Sequence, residues 1–242
     1  MGSSHAPEAS KLLALFRAIA SDERLQTMRL IESSPRLASE AAQDGATRQF
    51  AQRYYLARIG HYVYGGDTAL HIAAAAYRAE IARELVTRGA NPRARNRRGA
   101  EPLHYAVVGT PGSSHWNPAA QAAVIRYLLL AGADPNCRDA SGVAPLHRAV
   151  RTRCAAAVRE LLAGGVDPRM KNRNGSTPLH LAVRTTGRGG TGTDEAREQQ
   201  SEIITLLIEH GARLSDKDAR GTTVSDLIGA RRGWIPLLPN GR

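Results

Sequence analysis

A nine-residue pattern recurs four times along the middle of the chain. Its copies are GDTALHIAA from Gly66, GAEPLHYAV from Gly99, GVAPLHRAV from Gly142 and GSTPLHLAV from Gly175. Their histidines are His71, His104, His147 and His180, which are separated by 33, 43 and 33 positions. Each copy is followed by a second motif, in turn ELVTRGANP, YLLLAGADP, ELLAGGVDP and LLIEHGARL. Such periodicity indicates stacked units, each of which buries its apolar side only against its neighbours.

Each copy carries the signals of two short helices. Thr177 offers an N-cap hydroxyl and Pro178 suits the first turn, so a helix is expected to start near Leu179. Glycines that accept a left-handed backbone end the second helices, namely Gly89, Gly132, Gly165 and Gly211. Pro92, Pro135 and Pro168 then prevent continuation.

Two copies lack the capping hydroxyl. Glu101 and Ala144 occupy the threonine position. Loss of such a cap costs about 0.5–2 kcal/mol, so these helix starts are expected to be weaker. A degenerate copy, GTTVSDLIGA, begins at Gly221 and has Asp226 where the histidine would be.

The residues T-P-L-H-x-A, followed by G-A-[DN]-P, resemble the ankyrin repeat over residues 61 to about 230. The resemblance implies an all-α solenoid of stacked helix-turn-helix units joined by short hairpin turns. It also implies that the motif histidines are structural and link neighbouring turns by hydrogen bonds. The implied function is that of a non-enzymatic scaffold for protein binding.

The following organisation is expected. Residues 1–9 form a disordered terminus or tag remnant, and residues 10–60 form a degenerate capping repeat with an aromatic linker. Repeats occupy 61–96, 97–139, 140–172 and 173–218, and residues 219–242 form a C-terminal capping repeat and tail. The second and fourth repeats carry inserted loops at 109–120 and 185–200.

The amino-terminal segment is expected to form two helices before the linker. The second, SDERLQTMRLIESS, begins with a Ser/Asp cap and is broken by Pro35. Much of the aromatic content then falls between residues 44 and 66, at Phe50, Tyr54, Tyr55, Tyr62 and Tyr64. A hydrophobic lid on the first repeat is the favoured interpretation, and a ligand cage is the alternative.

Charge is the main anomaly of composition. The chain has 33 Lys and Arg against 22 Asp and Glu, a net charge of +11. Within residues 65–184 there are 17 basic and eight acidic side chains. This excess favours an acidic partner. An arginine-rich genome is the other explanation, because Lys11, Lys171 and Lys217 are the only lysines.

The resemblance implies that a partner is held by the hairpin tips and by exposed positions of each first helix, which together form a concave surface. Carried onto this sequence, the partner-binding residues are Arg97, Arg98, Val108, Arg151, Thr152, Arg173, Asn174, Arg184, Thr185 and Arg220. Arginine suits carboxylate or phosphate because its donors form a rigid fork. An acidic protein is therefore the leading expectation. Nucleic acid bound by the same arginines is the alternative, although aromatic residues are not interleaved with these basic tips.

The two inserted loops suggest a second hypothesis, a small anion site. It would combine Arg153 with the glycine-rich segment Gly187, Arg188, Gly189 and Gly190 and with His115 and Trp116. The segment GRGGTGT lacks the G-K-[ST] ending of a nucleotide-binding P-loop. Long surface loops without a role are the simpler explanation, because lengthening a loop has little entropic cost.

Other chemistries find little support. Stacked repeats hold the motif histidines too far apart to share a metal ion, and no cofactor is expected. Cys154 and His147 suggest a nucleophile and base, but without an orienting group a core thiol is favoured. No apolar run long enough for a membrane span and no secretory signal is visible. With only two cysteines, Cys137 and Cys154, a reducing, cytoplasmic compartment is expected. The chain is also expected to be a monomer.

Overall fold

The structure is a computed structural model that describes residues 5–112, 116–184 and 193–229, with side chains from Ser10 onward. Its contacts divide the chain into two compact units. The first unit comprises Met1–Ala106 and Ala123–Asp134, and the second comprises Val107–Ala122 and Pro135–Arg242. Each unit consists mainly of short helices in antiparallel pairs, so the predicted fold class is confirmed.

The first unit is built on five helices that lie wholly within it. They are α1 (His5–Ala20), α2 (Arg24–Ser33), α3 (Ala69–Ala75), α4 (Ala79–Thr87) and α5 (Pro102–Ala106). Helix α1 packs against α2 and α3, and α3 packs against α4 and α5. Helix α6 (Pro118–Leu130) contributes residues to both units. Fully buried Phe16, Leu70 and Leu85 belong to this core, and each such side chain stabilises the fold by about 1.5–3 kcal/mol.

The second unit repeats the same arrangement. Its further helices are α7 (Pro145–Arg151), α8 (Ala155–Ala163), α9 (Pro178–Ala182), α10 (Asp194–Glu209) and α11 (Val224–Gly229). Helix α7 packs against α8 and α9, while α10 packs against α8 and α9. Leu161, Leu179 and Leu207 are buried along this seam. Helix α9 begins at Pro178 after Thr177, as the sequence predicts.

The linker contains a small β-hairpin that the repeat pattern did not predict. Strand β1 (Tyr55–Leu56) pairs antiparallel with β2 (His61–Tyr62), and short 3-10 helices flank β1 at Gln52–Tyr54 and Ala57–Ile59. Leu56 and Val63 are buried, whereas Phe50, Tyr55 and Tyr62 are exposed. Three of the five aromatic residues expected to form the hydrophobic lid therefore face solvent, while Tyr54 and Tyr64 are half-buried.

Both predicted loops end earlier in the chain than the sequence suggested, because a helix begins inside each of them. Helix α10 begins at Asp194, so residues 194–200 are helical instead of part of a loop. Thr193 caps this helix by accepting a hydrogen bond from the backbone N–H of Ala196 at 3.2 Å. Helix α6 begins at Pro118, inside the loop expected to end at residue 120.

The predicted Ser/Asp cap of the second helix is wrong. Helix α2 starts after Glu23, whose side chain makes no capping hydrogen bond. Asp22 instead has a left-handed backbone with a φ of 63°, and its carboxylate pairs with Arg78 at 3.2 Å. Pro35 ends α2 as expected and starts a 3-10 helix, Pro35–Ala38.

Candidate protein-binding surface

Four hairpin tips share one hydrogen-bond pattern, which is set by an Asn or Asp side chain. Asn172 accepts hydrogen bonds on its Oδ1 from the backbone N–H groups of Asn174 at 2.9 Å and Ser176 at 3.1 Å. Asn96, Asp139 and Asp218 make the equivalent pairs of bonds in the other three tips. These side chains fix the turn locally, so the residues at the tip need no other support.

Sequence reasoning missed these four Asn and Asp residues, although a signal was present. Each precedes the tip glycine by three positions, in NRRG, DASG, NRNG and DARG. The pattern [DN]-x-x-G is typical of a turn that a side-chain oxygen closes. The tip glycines have φ values of 68° at Gly99 and 71° at Gly175, a backbone that other residues rarely adopt.

Neighbouring tips within each unit are joined by hydrogen bonds. In the first unit the N–H of Arg97 donates to the carbonyl of Gly65 at 2.8 Å. In the second, the N–H of Ala219 donates to the carbonyl of Asn174 at 3.2 Å, and the guanidinium of Arg173 donates to the carbonyl of Ala140 at 2.8 Å. The tips are thus held in fixed register before any partner binds.

The motif histidines are structural, as the resemblance implied. His147 accepts a hydrogen bond on Nδ1 from the N–H of Ala144 at 3.3 Å, and its Nε2 lies 3.2 Å from the carbonyl oxygen of Ser176 in the next repeat. The same link joins His71 to Ala100 at 3.0 Å and His180 to Thr222 at 3.2 Å. Burial lowers the pKa values of His71 and His147, so both imidazoles stay neutral at physiological pH.

In α11, the last helix among the described residues, Asp226 takes over the capping role of the histidine but not its bond to the next repeat. The N–H of Thr223 donates to Oδ2 of Asp226 at 2.8 Å, and the N–H of Asp226 donates to the hydroxyl of Thr223 at 3.0 Å. This reciprocal cap closes the start of α11. An aspartate has no second nitrogen to donate onward, which suits a unit at the end of a series of repeats.

The tip arginines are exposed and lack carboxylate partners among the described residues. Arg97, Arg98, Arg173 and Arg220 all have exposed side chains. Arg98 lies over the ring of Tyr64, with its Cζ 3.7 Å from the ring centroid. Other arginines are neutralised internally: Arg148 pairs with Asp139 at 2.7 Å, and Arg169 pairs with Asp216 at 2.6 Å. Because Arg169 donates hydrogen bonds to it, the pKa of Asp216 is lowered.

The predicted inner-helix residues differ in availability. Arg151 and Arg184 are exposed at the carboxyl-terminal ends of α7 and α9, and Val108 is 43% exposed. Thr152 uses its hydroxyl internally, since this group donates to the carbonyl of Arg148 at 3.1 Å. Asn174 is an exposed tip residue, and Thr185 lies outside the described residues. Arg151, Arg184 and Arg153 line one cavity of the second unit.

The sequence model of one known family, Ankyrin repeats (3 copies), matches residues 39–113 and 117–218. The chain belongs to the ankyrin repeat family. Ankyrin repeats are protein-binding modules and typically non-catalytic, and no enzyme family matches the chain. Among curated proteins, none matches it.

The hypothesis of an anion site rests on residues that are only partly described. Gly187, Arg188, Gly189, Gly190 and His115 lie outside the described residues. Trp116 is described, and its indole N–H donates to Gln121 at 2.9 Å. Arg153 donates to the carbonyl of Ala196 at 3.3 Å. Among the residues of the proposed anion site, Arg153 is therefore the one that the structure places beside other arginines.

The thiol of Cys154 has the environment of a core residue in this ankyrin repeat. The side chain is buried, and burial raises its pKa, which leaves little of the nucleophilic thiolate at neutral pH. Over residues 5–112, 116–184 and 193–229, no His, Cys, Asp and Glu side chains gather in a group suited to a metal ion. In the same ranges no helix has the length and apolar character needed to cross a membrane.

Proposed function

We propose that this ankyrin repeat chain binds an acidic protein through the arginines of its hairpin tips and inner helix ends. The residues that carry the proposal are Arg97, Arg98, Arg151, Arg173, Arg184 and Arg220, with Val108, Thr152, Asn174 and Thr185 as neutral neighbours. The main support is that all six arginines are exposed and none forms an ion pair with a described carboxylate.

Two physical arguments favour a protein that carries carboxylates. Guanidinium groups match carboxylates with two parallel hydrogen bonds, which gives both energy and orientation. The tips are also ordered in advance by their Asn and Asp side chains, so binding freezes few additional backbone torsions. Both features favour affinity without any rearrangement of the repeat.

The test compares two variants with the same change in net charge. The site variant converts Arg97, Arg98, Arg173 and Arg184 to glutamate. The control variant makes the same change at four exposed arginines outside the proposed surface, which are Arg24, Arg29, Arg36 and Arg58. Extracts of the source cell are passed over each immobilised chain, and the retained proteins are identified by mass spectrometry.

We expect acid-rich proteins that the natural chain and the control variant retain and the site variant loses. Equal retention by the site variant would mean that these arginines do not hold the partner. Random RNA and duplex DNA are tested on the same columns at low and moderate salt. Nucleic acid that is retained by the natural chain and lost by the site variant would replace the protein as the ligand.

A further inference from the structure

A cavity of about 350 Å³ lies in the second unit, between the carboxyl-terminal ends of α7 and α9 and the middle of α10. Buried Val150 and Ile203, together with half-buried Leu181, give it an apolar floor. Gln200 lies beside this floor and donates a hydrogen bond to the carbonyl of Ala182 at 2.6 Å. Ligand sites span roughly 300–1,000 Å³, so this cavity suits one side chain better than a long segment.

Three arginines are among the residues that line this cavity. Arg151 and Arg184 are exposed, and Arg153 is half-buried. None of the three forms an ion pair with a described carboxylate, although Asp218 interacts electrostatically with Arg184. Three arginines beside one small apolar cavity give it a positive potential that favours an anionic ligand.

Arg153 is the most constrained of these cations. Its backbone has a φ of 57°, a left-handed conformation that directs the chain from α7 into α8. Its guanidinium donates to the carbonyl of Ala196 in α10, a neutral acceptor. Burial lowers the pKa of Arg153. The side chain is therefore partly desolvated, and it forms no ion pair with a carboxylate in the part of the chain that the structure describes.

We propose that this cavity binds the carboxyl-terminal aliphatic residue of a partner protein. In such a residue the carboxylate and the aliphatic side chain are attached to the same Cα atom, so one residue satisfies both the arginines and the apolar floor. An internal Asp or Glu supplies the carboxylate without an aliphatic branch and leaves the floor unfilled. The inference rests on the proposed function and specifies which part of the acidic partner is held here.

The test uses three fluorescein-labelled hexapeptides and the full chain, with binding followed by fluorescence anisotropy. The first is Gly-Ser-Gly-Ser-Ala-Leu with a free carboxylate, and the second is its carboxyl-terminal amide. The third is Gly-Ser-Gly-Ser-Ala-Glu amide, which carries its carboxylate on a side chain. We expect the free acid to bind at least about tenfold more tightly than either amide, because a hydrogen bond to a charged group has about that effect.

Substitutions assign the binding to the cavity. Arg151→Gln is expected to weaken the free acid by about tenfold to a hundredfold, and Leu181→Ala is expected to weaken it by several-fold. Lys171→Gln is the matched control, since Lys171 is exposed and outside the cavity lining, and it should leave affinity unchanged. Unchanged far-UV circular dichroism and melting temperature show that each variant is folded.

Three results would overturn the proposal: no binding of the free acid, equal binding of the leucine amide, or equal binding of the glutamate peptide. An equal effect of Lys171→Gln and Arg151→Gln would also overturn it, because the interaction would then reflect net charge alone. Such failures leave the proposed function standing if the column experiment still separates the site variant from its control. Failure of both experiments would rule out the proposed binding of an acidic partner.

Discussion

The hydrogen bond from His147 to Ser176 can be tested by the substitution His147→Asn. In the folded chain Nδ1 of His147 accepts from the N–H of Ala144, while Nε2 reaches the carbonyl of Ser176. An asparagine keeps an acceptor near the start of α7, much as Asp226 does for α11. It is too short to reach Ser176, so the variant removes the connection between repeats and preserves the local cap.

The expected loss has one part that is independent of pH and one that depends on it. Leaving the Ser176 carbonyl without its donor costs about 1–3 kcal/mol of unfolding free energy. In addition, burial lowers the pKa of His147, so below about pH 6.5 the unfolded chain binds a proton that the folded chain does not. The unfolding free energy therefore falls as the pH is lowered from neutrality.

The size of the pH-dependent part is limited by the pKa of a histidine in the unfolded chain. Between about pH 7.5 and 5.5, each histidine that stays neutral when folded lowers the unfolding free energy by at most about 1.4 kcal/mol. Burial also lowers the pKa of His71, so the natural chain should lose up to twice that amount through these two residues. The variant lacks the contribution of His147 and keeps that of His71, so its stability deficit relative to the natural chain should shrink on acidification.

Urea unfolding followed by far-UV circular dichroism at the two pH values measures both parts. His210→Asn is the control, because His210 is an exposed residue at the end of α10. It should lower the unfolding free energy at pH 7.5 by less than His147→Asn does, because the ring of His210 bonds to the Leu206 carbonyl of its own helix. If His147→Asn loses as much stability between the two pH values as the natural chain, a neutral buried imidazole at this position is not the cause. A loss below about 0.5 kcal/mol at pH 7.5 would refute the importance of the Ser176 bond.

Further predictions concern caps, glycines, ion pairs and salt. Ala144→Thr should raise the unfolding free energy by about 0.5–2 kcal/mol in urea titrations, because it supplies the hydroxyl that Thr177 offers to α9. Gly165→Ala should cost about 1–2 kcal/mol of unfolding free energy for its φ of 81° alone. Gly175→Ala should cost more, because its Cβ would also clash with the backbone nitrogen of Ala219. Equal costs in thermal melts would contradict that contact. Asp216→Asn should lower the melting temperature at neutral pH, and the difference from the natural chain should vanish on acidification. The pKa of Asp216 is lower in the folded chain than in the unfolded chain, so its carboxylate stabilises the fold at pH values above the ordinary aspartate pKa. This contribution is lost as the pH falls through the pKa of the folded chain. Added sodium chloride should raise the melting temperature of the free chain while weakening an acidic complex, and a change of the same sign in both would contradict the proposed role of charge.

The sequence predicts much of the repeat because the relevant contacts recur at fixed separations. His71 reaches Ala100 and His147 reaches Ser176 across the same 29 positions. Equivalent residues in successive copies of the motif therefore make the same contact, and a comparison of the copies identifies those residues. The tip residues Asn96 and Asn172 belong to the same class and could have been found in this way.

The linker and the cavity could not be predicted by that route. The hairpin of Tyr55 and Tyr62 lies outside the period and contains strands of only two residues, too short for an alternating pattern. Arg151 and Arg184 are separated by 33 positions, one repeat period, so the repeat itself places them on neighbouring units. The cavity between them forms because α7 packs against α9 and α9 packs against α10. Its apolar floor depends on that tertiary packing, and no local signal in the sequence encodes it.

The distribution of ion pairs separates the arginines that the fold neutralises with a carboxylate from those that have no such partner among the described residues. Arg148 and Arg169 pair with Asp139 and Asp216, carboxylates that are themselves almost buried. Removing either cation would leave a desolvated anion, so these arginines belong to the fold. The tips need no such cation, since Asn and Asp oxygens close them through backbone N–H groups. An exposed arginine at a tip adds repulsion within a chain of net charge +11 and no internal bond to a carboxylate. An external anion that pairs with these arginines would relieve this repulsion.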